Sequence, residues 1–435
     1  MTRSRTVLVT DGEQRSALAL VRSLGRAGHT VYVCSSRGRS LAGASRYALE
    51  EARVADPLGS GERFAEDVLE LITRWRIDVL IPVSEAALLA LLPARERMGE
   101  VVLPFPDEAT FRRISDKAEL LSVAPRVGIA IPEQVRVESA ADARSLDPAS
   151  LEYPVVLKPS RSVAEDAAGG THAGSDAGSD AGSDAGSGGA RARSGMRARG
   201  GTRGRTKLTV RHAADPHELT DVLAELSEAG DAAFPLLIQQ RIVGPGVGIF
   251  LLLWEGRTLA TFAHQRIREK PPSGGVSVYR ESVAADPQLV ARSRALLEHF
   301  GWCGVAMVEY KVDERTGTPY LMEVNGRFWG SLQLAVDAGV DFPVLLLAAA
   351  TGELPDPVES YTTGVRLRWW WGDVDHLIAR MRRSRAALSL PPDAPGRWRA
   401  LLDFLTIHFG RDREEILRLD DPRPFLRESV QWFHL

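Results

Sequence analysis

The stretch VAMVEYKVDERTGTPYLMEVNGRFWGS, residues 305–331, carries more of the chemistry of this chain than any other. Two segments of alternating character flank DERTGT, and Gly317 suits a tight turn between them, so the stretch predicts a β-hairpin. The two-residue period of a strand places Glu323, Asn325 and Arg327 on one face, with Met322 and Val324 on the other. Folding the hairpin about its turn brings Glu309 opposite, or nearly opposite, Glu323. Like charges directly opposed across two strands are destabilising. A surface hairpin whose acids face water is the plain alternative, but Asn325 and Arg327 continue the same face as a site would. Two carboxylates and an amide oxygen converging in this way are better explained by a shared hard cation. Oxygen ligands that leave positions for phosphate oxygens suit Mg²⁺.

Upstream of the hairpin, HQRIREKPPSGGVS (264–277) alternates His264, Arg266 and Arg268 along a predicted strand, so the three are expected to face one way. Gly274 and Gly275 can bring backbone N–H groups close to an anion. A row of cationic donors facing the metal hairpin suits a carboxylate substrate, and a salt-bridged solvent face is the competing reading. Ser331, just past the hairpin, either contacts substrate or caps the following helix. PLLIQQRIV (235–243) reads as a strand, and GPGVG (244–248) as a turn into the next one.

The N-terminal part has a different pattern. TVLVT (6–10) ends at Asp11-Gly12, a helical pattern runs to Gly28, and TVYVC follows, the β-turn-helix-β opening of a parallel α/β domain. No G-x-G-x-x-G fingerprint accompanies it. DVLIPV (78–83) reads as a buried parallel strand, with Ser84 and Glu85 at its C-terminal end, where open α/β sheets place ligands. A substrate role for Glu85 competes there with helix capping. Residues 107–126 read as helical with Lys117 near the middle, and YPVVLKP (153–159) as a strand ending in Lys158. Residues 164–206, with their AGSD repeats and Arg/Gly run, lack the apolar content to offset chain entropy and are expected to be a disordered insert.

The chain of 435 residues is long enough for two or three domains. A formal net charge of −3 offers no case for nucleic acid or an anionic membrane surface. The apolar stretches near 247–254 and 343–350 are about half a membrane span in length. Asp11 interrupts the N-terminal apolar run too early for a secretory signal, and Cys34 and Cys303 cannot build a disulfide framework. The expectation is a soluble cytoplasmic protein. Of the 54 basic residues only five are Lys, namely Lys117, Lys158, Lys207, Lys270 and Lys311, and all lie between 117 and 311. In a chain so biased toward Arg, a retained Lys marks a place for a compact point charge on a flexible stem, with chance survival as the alternative.

LMEVNGR, preceded about fourteen residues earlier by VEYK, resembles the metal-binding signature of the ATP-grasp superfamily, in particular its biotin-carboxylase and carbamoyl-phosphate-synthetase-like branch. The resemblance spans roughly residues 1–350. It implies an α/β fold, α+β in the catalytic core: an N-terminal parallel α/β domain (1–106), linker helices and a small lid (107–236, with the insert 164–206), an antiparallel catalytic core (237–352) and a C-terminal helical extension (353–435). It further implies ATP and two Mg²⁺ ions, with Mn²⁺ as a substitute. Glu309, Glu323 and Asn325 match the metal ligands. Lys117 resembles the first phosphate lysine, and Lys158 the lid lysine that holds the α-phosphate. Gln239, Gln240, Arg241 and Ile242 fall on the strand that clasps adenine, and Met322 joins them in the nucleotide set. Arg327 matches the arginine that steadies the phosphoryl group, assisted by Arg266 and Arg268. His264, Gly274, Gly275, Ser331 and Glu85 remain for the substrate. Two features depart from the family. Gln239 and Gln240 stand where an acid is usual, and the ribose-binding acid falls in the GPGVG turn. The short phosphate flap is replaced by the long insert, so either Arg161, Ser162 and residues 200–205 cover the phosphates or the lid is looser.

The combined expectation is an ATP-dependent carboxylate–amine ligase acting on small molecules through an acyl-phosphate, as a monomer or homodimer. The alternatives are a nucleotide-binding regulatory protein without turnover and a ligase using a non-amine nucleophile. Because residues 173–199 contain almost nothing apolar, their deletion is expected to leave the thermal midpoint nearly unchanged; a large drop in a melting experiment would contradict the compositional reading.

Overall fold

The computed structural model describes residues 3–159, 163–165, 205–207, 211–228, 234–385, 387–388, 390 and 394–434. It begins with β1 (Thr6–Val9), α1 (Arg15–Arg26), β2 (Thr30–Ser35), β3 (Ala48–Arg53), α2 (Gly61–Trp75), β4 (Val79–Ile81) and α3 (Glu85–Leu91). The strands form a parallel sheet in the order β3-β2-β1-β4. The chain leaves β1 toward β2 on one side and returns to β4 on the other, so β1 and β4 flank a topological switch point. Asp11 closes that point: its carboxylate accepts from the Val83 and Ser84 backbone N–H groups and from the Ser84 hydroxyl.

Two short helices follow, α4 (Glu108–Ser115) and α5 (Lys117–Val123). The sequence read this region as one helix. The structure breaks it at Asp116, whose side chain accepts from the N–H groups of Ala118 and Glu119 as an N-cap. Lys117 is therefore the first residue of a helix instead of a mid-helix residue.

The lid contains β5 (Gln134–Val137), α6 (Ala140–Ser145), β6 (Val155–Pro159), β7 (Val163–Glu165), β8 (Arg205–Lys207), β9 (Arg211–Ala213), α7 (Pro216–Glu228) and β10 (Leu236–Gln240). Its sheet runs β5-β10-β6-β9 and packs on a separate small apolar core around Leu157, Leu219 and Ile238. The ends of the insert, which composition read as disordered from residue 164, pair as an antiparallel ladder between β7 and β8. The AGSD run, Arg161, Ser162 and residues 200–204 lie outside the described residues.

The large sheet is built from β11 (Gly246–Trp254), β12 (Arg257–Lys270), β13 (Val276–Ser282), then α8 (Pro287–His299), β14 (Gly304–Val312) and β15 (Pro319–Asn325). Helices α9 (Leu332–Asp337) and α10 (Phe342–Ala350) cover the core beyond it. Asp286 caps α8 ahead of Pro287 at the first helical position. The tail supplies β16 (Arg366–Arg368), α11 (Trp370–Arg382), α12 (Arg397–Leu405), β17 (Asp412–Glu414) and α13 (Arg423–Phe433). The sequence read this tail as helical. Two of its segments in fact extend the sheet, in the order β15-β14-β11-β12-β13-β16-β17.

Buried ion pairs stitch the tail to the first domain. Glu415 lies between Arg15 of α1, at 2.6 Å, and Arg280 of β13, at 2.5 Å. The Arg22 guanidinium is buried against Asp421 at 2.9 Å and donates to the carbonyls of Ile416 and Asp421. Asp421 also accepts from the Ser45 hydroxyl and the Arg46 N–H. Removing one partner of a buried pair strands the other, which costs about 3–5 kcal/mol. Arg22→Met is accordingly expected to lose stability on that scale in urea unfolding; a loss below about 1 kcal/mol would show that the pair does not hold the tail in place.

Candidate active site

The hairpin register puts Glu309 directly opposite Glu323 and Met307 opposite Asn325. Each carboxylate is compensated. Arg266 reaches Glu309 at 2.5 Å, and Lys117 reaches Glu323 at 3.5 Å. Asn325 donates to Glu323 at 3.1 Å. Burial alone would raise the Glu323 carboxyl, but Lys117, the Asn325 hydrogen bond, Lys158 and Arg327 together hold it at about 2. Burial pushes the Glu309 carboxyl up, against the pull of Arg266 and with repulsion from Glu323 adding to the rise.

Arg266 belongs to β12, with β11 lying between it and Glu309 on β14. Its path depends on glycine. A Cβ at Gly246 would meet the Arg266 Cδ at 2.9 Å, and Gly248 is the rung partner of both Glu309 and His264. Glycine on alternate residues thus clears the floor of β11, and the guanidinium crosses it to a carboxylate two strands away. The same guanidinium donates to Glu269 at 2.8 Å and to the Gly275 carbonyl at 3.1 Å.

The expectation that Arg268 shares a face with His264 and Arg266 does not hold. The register shifts between Arg266 and Arg268, so Arg266 pairs with Arg280 but Arg268 pairs with its neighbour Tyr279. The bulge sends Arg268 to the opposite face. There it stacks on Tyr279 at 4.4 Å and grips both oxygens of Asp373 in α11 at 2.6 Å. His264 stays on the inner face, fully buried, in edge contact with Phe250. Burial and the neighbouring Arg266 and Arg280 keep its imidazole neutral, well below the usual range. The Gly274 N–H donates to Pro271, so this glycine pair presents the Gly275 carbonyl to Arg266 and not two amides to an anion.

The other candidates fall into two groups. A narrow cleft gathers Glu85, Lys117, Glu323, Asn325 and Arg327 beside Phe111 and Ile114. Ser84, not Glu85, caps α3 by accepting from the Ala87 N–H, and Glu85 lines the cleft. Ser331 is buried just before α9, and its side chain makes no cap hydrogen bond. Arg327 donates to the Phe328 carbonyl. The second group lies on the lid. Lys158 contacts the Met322 sulfur at 3.9 Å, joining the lid to the hairpin. Gln239 is buried and donates to Gln134 across β5, while Gln240 donates to Glu152. The Gln240 and Arg241 amides bond to Glu133 and Pro154, and Ile242 is buried just beyond.

Sequence reasoning missed Gly246, Gly248, Glu269 and Asp373. The alternation of glycine at 244, 246 and 248 entering a strand was the available signal, since strand glycine on one face marks close approach of another group.

Among the described residues, no group of three or more His, Cys, Asp or Glu side chains could hold a metal ion by itself. Two opposed carboxylates and one amide oxygen fit a hard divalent cation that completes its shell with water and phosphate oxygens. No helix among the described residues is long and apolar enough to cross a membrane.

Comparisons with known proteins bear on the fold. Residues 233–371 match the family described as "ATP-grasp in the biosynthetic pathway with Ter operon". No curated protein matches the chain in sequence. Among solved structures, an L-amino acid ligase from Bacillus licheniformis is similar at 18% identity and a TM-score of 0.55, over 81% of this chain and 77% of its own. A biotin carboxylase from Campylobacter jejuni is similar at 15% identity and 0.58, over 84% and 74%. N5-carboxyaminoimidazole synthetase from Staphylococcus aureus gives 12% and 0.57, over 84% and 82%. The chain shares its fold with these three enzymes, and residues 233–371 match an ATP-grasp family.

Lys158 makes a pH prediction. Burial and the adjacent Lys117 lower its ammonium to about 8. A depressed lysine is charged below that value and neutral above it, whereas a bound phosphate favours the charged form. Nucleotide binding must therefore take up a proton above about pH 8, and affinity falls by up to about tenfold per pH unit there. Calorimetry with ATP should show this fall, flattened in Lys158→Arg; a pH-independent wild-type affinity up to about pH 9 would remove Lys158 from the phosphate site.

Proposed function

We propose that this protein is an ATP-dependent carboxylate–amine ligase that works through an acyl-phosphate and releases ADP and phosphate. The observation that carries the reading is the opposition of Glu309 and Glu323, with Asn325, Lys117 and Arg327 around the same cleft. A divalent cation held by Glu309, Glu323 and Asn325 would neutralise the ATP phosphates. The same fold in an L-amino acid ligase supports the amine as nucleophile.

The roles follow from position. Lys117, at the start of α5, and Lys158, on the lid, hold phosphate oxygens from two sides. Arg327, at the cleft, offers planar donors to the oxygens of the phosphoryl group in flight. Arg266 places a fixed cation beside Glu309, where the substrate carboxylate must approach a site already rich in negative charge. A carboxylate oxygen attacks the γ-phosphorus, the bond to the bridging oxygen breaks, and ADP departs. The amine then attacks the carbonyl carbon, phosphate leaves with the oxygen of the acid, and the amine proton passes to solvent. Glu85 borders the cleft left for the substrate, whereas His264 lies buried against Phe250 outside that lining and is not assigned to the substrate. Arg268 is assigned to fastening β12 to α11. The segment Gln239, Gln240, Arg241 and Ile242 would lie along the adenine, but the Gln240 and Arg241 N–H groups are already held by the Glu133 and Pro154 carbonyls and are not its donors.

The test is ADP release with MgATP across a panel of amino, hydroxy and other carboxylic acids. At least one acid should stimulate ADP formation, and Glu323→Gln should abolish that stimulation by about a thousandfold or more while the circular dichroism spectrum is retained. An absence of stimulation across the panel, or undiminished activity in Glu323→Gln, would overturn the reading.

A further inference from the structure

The last turn of α11 and the start of α12 border a cleft of about 380 Å³. Arg380, Arg383, Arg385 and Arg397 line it, and no carboxylate does so among the described residues. Backbone carbonyls hold the guanidiniums in place. Arg380 donates to Pro395, Arg385 to Ala394 at 2.9 Å, and Arg397 to Arg383 at 3.2 Å. A carbonyl satisfies a donor but leaves its charge. Only 6% of Arg380 is exposed. Burial and then the like charge of Arg385 lower its guanidinium from the ordinary value, and no carboxylate among the described residues acts the other way. Removing an unpaired ion from water is expensive, so buried charges are ordinarily paired. The other buried arginines follow that rule: Arg15 and Arg280 lie on Glu415, Arg22 on Asp421 and Arg368 on Asp373. Among the described buried arginines, Arg380 alone lacks a carboxylate.

We infer that this cleft is a binding site for an organic phosphate, whose dianionic group supplies the charge that Arg380 lacks. Guanidinium forks match phosphate oxygens two at a time. A phosphate monoester also carries close to two negative charges at neutral pH, where a carboxylate carries one. The first turn of α12 adds to the attraction. Gly396 at its N-cap lines the cleft and offers no side chain to cap the helix, so free N–H groups and the positive end of the dipole face this corner. The rest of the wall is apolar, with Leu388, Leu390 and Pro395. An apolar wall suits a ring or short chain carried by the phosphate, and the volume falls within the ~300–1,000 Å³ of small-molecule pockets. The cleft lies at the opposite end of α11 from Asp373, which grips Arg268, and shares no lining residue with the cleft around Glu323.

Calorimetry on the full chain tests the inference, with phenyl phosphate and inorganic phosphate as probes. Phenyl phosphate should bind with a dissociation constant in the millimolar range or below. Inorganic phosphate should bind at least about tenfold more weakly, since it has nothing to place against Leu388 and Leu390. Arg383→Gln with Arg397→Gln, both at exposed positions, should weaken phenyl phosphate at least about tenfold with the melting temperature unchanged. Lys158→Ala, on the lid, should leave that binding as it is. Arg380→Met should also lose the probe yet melt no lower than wild type, because an apolar side chain replaces an unpaired buried charge. No binding of phenyl phosphate at millimolar concentration would overturn the inference, as would binding that survives these arginine substitutions or is lost in Lys158→Ala. Inorganic phosphate binding as tightly as phenyl phosphate would overturn the assignment to an organic phosphate. Arg380→Met melting well below wild type would show that the chain itself compensates this charge, and would overturn the site as well. None of these outcomes depends on the ligase reading.

Discussion

Two carboxylates set opposite each other on adjacent strands govern the rest of this molecule. Glu309 and Glu323 repel when charged, and nothing in a β-hairpin compensates for that on its own. The structure surrounds them with cations drawn from three distant parts of the chain: Lys117 from the first helix pair, Lys158 from the lid, and Arg266 from across the sheet. Local features follow from this arrangement. Asp116 breaks a helix and so puts Lys117 at a helix start, Gly246 and Gly248 clear the way for Arg266, and Glu269 and the Gly275 carbonyl hold the guanidinium level. An acidic pair maintained at such cost is suited to a divalent cation and the phosphates that accompany it.

A second set of charges decides how the tail joins the rest of the chain. Glu415 between Arg15 and Arg280, Arg22 on Asp421, and Asp373 gripping both Arg268 and Arg368 are buried pairs that link α1, the catalytic sheet and the last seventy residues. The strand carrying Arg266 is thereby fastened at its far end to α11, through Arg268 to Asp373 and Lys270 to Asp375. The tail thus braces the same strand that crosses to Glu309.

Much of the fold was legible in the sequence because strong local periodicity and turn chemistry agreed there. The parallel opening through β1, α1 and β2 and the hairpin about Gly317 both read correctly from local signals. So did the opposition of Glu309 and Glu323, since a hairpin register needs only the turn position. What failed was what local pattern cannot encode. A single bulge reversed the direction of Arg268, because a period-two reading assumes an unbroken ladder. The tail looked like amphipathic helices without a motif, because β16 and β17 are three residues each and the acids that follow them, Glu415 and Asp421, find partners some 400 residues away. The helix break at Asp116 was visible as a capping residue, but the apolar pattern on both sides masked it.

An acyl-phosphate route requires the carboxylate of the substrate to attack phosphorus and give up one of its oxygens. The direct measurement is positional isotope transfer, with oxygen-18 in the carboxyl group of an acid that stimulates turnover and mass analysis of the products. ADP should appear together with inorganic phosphate carrying one labelled oxygen per turnover. Unlabelled phosphate, or label appearing in AMP with release of pyrophosphate, would contradict it.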